Sequence, residues 1–121
     1  MRLDMLGLAL SGTCFVHCLL LPVAVLAAPT VSVWLGETER SVHWLLFAIA
    51  LVVTGWALLT GLRRHGVAAV VFLGGAGLLI MMVGAAHLFG PSTEVLLTLT
   101  GAGVVATAHV LNLRFCERQP G

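Results

Sequence analysis

Residues 67–88 read VAAVVFLGGAGLLIMMVGAAHL, and the length of that run decides the fold. It contains no carboxylate, lysine or arginine, and it is close to the ~20 residues that a helix needs to cross ~30 Å of hydrocarbon. Working outward, the apolar runs at 5–28, 43–62 and 95–115 have the same reach. The chain of 121 residues is 60% hydrophobic and 9% charged, with a mean hydropathy of +1.09, far from the balance of a soluble domain. Lipid offers the backbone no hydrogen-bond partner, so each run is expected as a helix that satisfies its own groups. The sequence therefore predicts an all-α integral membrane protein, with four transmembrane helices in one bundle and a single domain over 1–121.

Three short polar segments are expected to separate the spans: GETER at 36–40, RRHG at 63–66 and GPSTE at 90–94. They leave no room for a soluble module. The first run has an apolar core of about 23 residues, longer than the ~7–15 of a cleaved signal, so it is expected to stay as a span. Arg2, Arg63, Arg64, Arg114 and Arg118 fall on one side of a four-crossing chain, and Arg40 falls on the other beside Glu37 and Glu39. That bias predicts that both termini are cytoplasmic. Glycines such as Gly55, Gly74, Gly77, Gly84, Gly101 and Gly103 are expected to let helices approach, and Thr54, Thr98, Thr100 and Thr107 to return their hydroxyls to their own helices. No phosphate-cradling loop is present. Passive transport is expected, with no enzymatic activity and no nucleic-acid partner.

The chemistry gathers in GTCFVHCLLLP, residues 12–22. At 100° per residue Gly7, Ser11, Cys14, Cys18 and Pro22 share an arc of roughly 80°, with His17 about 60° to one side. A rise of ~1.5 Å per residue from an edge at Met5 puts Cys14 about 14 Å deep and Cys18 about 20 Å deep. Pro22 removes the donor for the Cys18 carbonyl, which predicts a bend there. Side chains at i and i+4 lie ~5–6 Å apart at Cβ, so both thiols can hold one soft ion, copper(I) or zinc rather than magnesium or calcium. A lone buried cysteine is ordinary packing. An ionisable His17 within the same turn of a span tips the cluster toward metal binding.

In the fourth run His109, Asn112 and Cys116 stand at i, i+3 and i+7, again one stripe. His109 reads either as a further ligand or as a structural donor to a neighbouring helix, and Asn112 as interhelical glue. His43 and His87, at the outer ends of the second and third spans with Glu37, Glu39 and Glu94 nearby, read either as collectors of a cation from the periplasmic side or, more simply, as interfacial residues. Other classes fit the same residues: a membrane thiol redox protein using Cys14 and Cys18, a haem carrier using His17 and His109, or a packing subunit of a larger complex.

Several segments in order carry a resemblance. Cys14-Phe15-Val16-His17-Cys18 followed by Pro22, His43-Trp44, Gly61-Leu62-Arg63-Arg64-His65, and the closing His109-Val110-Leu111-Asn112-Leu113-Arg114-Phe115-Cys116 together resemble the MerC family of mercury-resistance membrane proteins, over about Leu6 to Cys116. The resemblance implies a small protein of the bacterial inner membrane that carries mercuric ion into the cytoplasm for reduction. It makes Cys14 and Cys18 the transport ligands. Mercury transporters also tend to carry further cysteines at the cytoplasmic end, where this chain has Cys116 alone. The expected metal ligands are thus Cys14, Cys18, His17, His109 and Cys116, working by ligand exchange toward a cytoplasmic thiol acceptor. No permanent cofactor is expected; the cargo is Hg(II), with Zn(II) or Cu(I) as alternatives. The partners are that ion and the lipid bilayer, and the glycine-rich spans are compatible with a homo-oligomer.

Overall fold

Ala28 is the first interruption in a chain that is otherwise helical from Arg2 to His65. It lies at φ −142°, ψ 82°, outside the helical region that a following proline disfavours, and Pro29 then opens the next helix at a position where its missing N–H costs nothing. The computed structural model describes residues 2–119 and, within them, the side chains of all but 21, 22, 25, 29–37 and 39. The described residues form four helices and no strand: α1 (Arg2–Ala27), α2 (Pro29–His65), α3 (Ala68–Ala85) and α4 (Pro91–Glu117). Each is long and apolar enough to cross a membrane, over Arg2–Leu20, Arg40–His65, Ala68–Ala85 and Pro91–Glu117.

Two of the expected breaks lie inside helices. Residues 36–40 belong to α2, which begins at Pro29 rather than near His43. Glutamate and arginine are good helix formers, so polarity at that point changes the helix's surroundings without ending it. Residues 91–94 likewise form the first turn of α4, with Pro91 at its start. Of the break expected at 63–66, Arg63–His65 form the last turn of α2 and only its final residue lies outside the helix. Gly66 closes α2 at φ 70° and donates its N–H to the Leu62 carbonyl, a left-handed cap that suits glycine.

α1 packs on α2 and α4, α3 packs on α2 and α4, and α2 touches α4 across the middle; among the described residues the backbones of α1 and α3 do not approach each other, and their side chains share the core. The α3–α4 contact is the most extensive. Gly77 and Gly101 face each other there, and a Cβ on Gly101 would lie 2.7 Å from the Gly77 carbonyl oxygen. Only glycine permits that approach, and backbone proximity is a source of attraction when lipid is as apolar as the side chains. The interior is built from Cys14, Cys18, Ala50, Leu78, Met81, Ala102 and Val105, with Leu58, Val70 and Ala108 as a second group. Large apolar residues such as Val16, Leu20, Val52, Trp56, Phe72 and Leu79 point outward, as a bilayer requires.

The burial pattern of α1 carries the site. From Arg2 to Leu20 its buried residues are Asp4, Gly7, Ser11, Cys14 and Cys18. This is the expected stripe, extended one turn toward the N-terminus by a carboxylate. Thr98 and Thr107 return their hydroxyls to the Glu94 and Gly103 carbonyls of their own helix. Thr54 does not: it points across to α4.

Candidate metal site in the bundle core

Cys14 and Cys18 sit one helical turn apart and face inward, at 4% and 3% exposure. Both are thiols, and their side chains are hydrogen-bonded to each other. Cys14 borders a cavity of ≈ 10 Å³ shared with Gly7, Ser11, Thr54 and Val105, about the least volume that admits one water. His17 lies off this stripe. Its ring packs edge-on against His43 of α2 at 5.4 Å between ring centres. Among the described residues no three His, Cys, Asp or Glu side chains stand together as a metal-holding set. Cys14 and Cys18 thus form a thiol pair, while the His17 ring is turned toward His43. α1 continues unbroken to Ala27; the Pro22 side chain lies outside the described residues, as do those of Glu37 and Glu39.

His109 is fully buried and both of its ring nitrogens are engaged. Nδ1–H donates to Asp4 Oδ1 at 2.9 Å. Nε2 then carries the lone pair and accepts from the Thr54 hydroxyl at 3.2 Å. Asn112 lies one turn further along α4. Its amide donates to the same Asp4 oxygen at 2.9 Å and to the Ala57 carbonyl at 3.3 Å. Its own oxygen accepts from His65 Nε2 at 2.9 Å. The Val67 N–H occupies His65 Nδ1 at 3.0 Å, which fixes the proton on Nε2. The network ties the start of α1 to the ends of α2 and α4. Gly7 and Gly61 make room for it, because a Cβ at either would run into the His109 ring or the Asn112 amide.

Two consequences follow for the expected ligands. His109 would have to give up a buried hydrogen bond to reach a metal or a haem iron, and such bonds are costly to leave unmade. Cys116 is half-buried beyond the network and borders a cavity of ≈ 40 Å³ with Asp4, Arg64 and Asn112. His109, Asn112 and Cys116 do share one face of α4, but the first two serve the polar network and only Cys116 reaches the mouth.

Asp4 is the functional residue that sequence reasoning passed over. It precedes the apolar run, yet it falls on the Gly7–Ser11–Cys14–Cys18 stripe when that stripe is continued back by one turn. At the opposite end, where the sequence put His43, His87 and Glu94 near one another, His87 Nδ1 meets Glu94 Oε2 at 2.9 Å and the His87 ring stacks on His43 at 5.8 Å between centres.

A sequence profile of the MerC mercury resistance protein matches residues 4–114. The chain belongs to the MerC family. The match runs from the carboxylate that anchors α1 to the last turn of α4, and so covers all four spans and every residue of the polar network. This member of the MerC family is accordingly a multi-pass membrane protein of the mercury-resistance group. No curated protein and no solved structure matches the chain.

Proposed function

We propose that this MerC-family protein carries mercuric ion across a bacterial inner membrane into the cytoplasm, with Cys14 and Cys18 as the two ligands that hold the ion in transit. The observation that carries the reading is the thiol pair itself: two buried, mutually hydrogen-bonded sulfurs on the inward stripe of a span. Binding by two thiolates cancels the charge of a divalent soft ion, which lowers the cost of holding it away from water. Zinc and copper(I) are the alternative cargoes that the same donors accept.

The direction rests on the arginines. Arg2, Arg63, Arg64, Arg114 and Arg118 lie at the end of the bundle where Asp4, His65 and Asn112 meet, and a concentration of arginine marks the cytoplasmic side. Cys116 at that end is the first acceptor, passing the ion to a cytoplasmic thiol. His109 acts as a strut that fixes α1 against α4 in this scheme.

The test is a titration of the reduced, purified chain with mercuric, zinc and copper(I) ions in turn, for the natural sequence and for Cys14→Ser/Cys18→Ser. A stoichiometric site for one soft ion that vanishes in the double variant supports the reading. Equal binding by both proteins sinks it.

A further inference from the structure

The rings of His17, His43 and His87 come from α1, α2 and the turn after α3, and they meet at the end of the bundle away from the termini. His17 and His43 are 5.4 Å apart between ring centres and His43 and His87 are 5.8 Å apart. The Nε2 atoms of His17 and His87 are buried and have no hydrogen-bond partner. Orphaned nitrogens of this kind are rare and point to a ligand or an ion. His87 is also the only non-glycine residue among those described with a positive φ, at 52°. Such backbone is uncommon outside glycine and clusters where function needs it.

Glu94 explains what the strain accomplishes. By accepting the Nδ1 proton of His87 at 2.9 Å, it leaves the neutral ring with its lone pair on Nε2, inside the bundle. A carboxylate behind an imidazole in this manner is the usual support for a metal-binding histidine. With metal–nitrogen bonds of ~2.0–2.1 Å, two imidazoles on one tetrahedral ion have ring centres roughly 5 Å apart. Both observed spacings are near that value. Three donors do not converge as the rings stand, and the His43 and His87 planes lie 23° apart, so the spacings allow two rings to share an ion once a ring turns about its side-chain bonds.

We infer that His87, His43 and His17 form an imidazole ladder that takes up a soft or borderline cation, of the mercuric, copper or zinc kind, at the end distal to the termini and delivers it to Cys18, the next residue after His17. Glu94 is its positioning residue. Each step is ligand exchange at constant oxidation state. A bond from the ion to the next nitrogen forms as the bond to the one before breaks, and at the last step two metal–sulfur bonds replace the bonds to His43 and His17 while two thiol protons leave to water. The destination rests on the thiol-pair reading above; the ladder's affinity for metal does not.

Two measurements separate the proposals. The first is electron paramagnetic resonance of Cu(II) bound to the full chain carrying Cys14→Ser, Cys18→Ser and Cys116→Ser, with the fold checked by circular dichroism. Nitrogen splitting from two imidazoles is expected, with that pattern lost in His43→Ala, which breaks both ring pairs, and affinity lowered roughly 10–100-fold in Glu94→Gln. Absence of imidazole splitting, or its persistence in His43→Ala, overturns the ladder whatever the cysteines do. The second is mercuric uptake by proteoliposomes of the otherwise natural chain. His43→Ala and His87→Ala are expected to slow the initial rate while leaving the mercuric stoichiometry at the thiols unchanged; undiminished rates also overturn the ladder. Loss of the ladder with the thiol site intact would leave the transport reading standing.

Discussion

Asp4 and His109, 105 positions apart in the chain, meet at 2.9 Å with Asp4 Oδ1 facing His109 Nδ1 and almost no exposure on either side chain. The contact locks the first helix to the last at the level of Gly7, and it sets the rotation of α1 that turns Cys14 and Cys18 inward. Its energy can be measured by a double-mutant cycle. Asp4→Asn and His109→Gln are each expected to destabilise the bundle by roughly 1–3 kcal/mol, with a coupling of comparable size. Thermal unfolding in detergent gives the four values, and purely additive effects would mean that the pair is incidental.

Thr54 and Thr60 differ by one feature. Thr54 Oγ1 is bonded to His109 Nε2, while Thr60 returns its hydroxyl to the Trp56 carbonyl at 2.7 Å. Thr54→Val strands a buried nitrogen and should cost roughly 1–3 kcal/mol; Thr60→Val removes a bond within one exposed turn and should change little. Equal melting temperatures for the two variants would contradict the network.

Glycine substitution gives a spatial test of the same packing. Gly7→Ala drives a methyl into the His109 ring, whereas Gly12 has nothing within 4 Å of the same addition. Overpacking costs typically ~1–3 kcal/mol, and relief of glycine's helix penalty returns about 1 kcal/mol. The first variant should therefore melt earlier and the second later than the natural chain. A reversed order would place α1 at a different rotation.

Cys116 differs from the other two cysteines in access. It is half-buried at the mouth of a cavity, while Cys14 and Cys18 are interior. A membrane-impermeant maleimide should label one thiol per chain in native membranes and three after denaturation. Labelling from inverted vesicles but not from intact cells fixes the arginine-rich end as cytoplasmic; the opposite pattern reverses the direction of transport proposed above.

Much of this architecture was legible in the sequence because the bilayer imposes a length and a helix imposes a period. Four apolar runs became four helices, and the stripe through Gly7, Ser11, Cys14 and Cys18 is the buried face of α1. Helix ends were less legible. Residues 36–40 are polar but helix-forming, so charge marks where α2 leaves the apolar layer and not where it stops. The polar network was half visible: Asn112 was expected as interhelical glue, and His109 had a structural reading beside the metal one. Asp4 was hidden by drawing the span from Met5. The histidine cluster was legible only in part: topology put His43 and His87 at one end near Glu94, but not their meeting with His17. His17, His43 and His87 belong to three separate elements, and no single-helix pattern reports how those elements are turned toward one another.

The 105-residue separation of Asp4 from His109 also has a meaning in time. At about 5–20 residues per second, α1 is made several seconds or more before its partner on α4 exists. During that interval the carboxylate enters or borders the membrane without the imidazole and the amide that later satisfy it. The thiol pair shares that early helix and is held inward only once α4 docks. A chain stopped before the fourth span would therefore carry, on one face of its first helix, an acid without its imidazole and amide partners and two sulfurs not yet covered by α4.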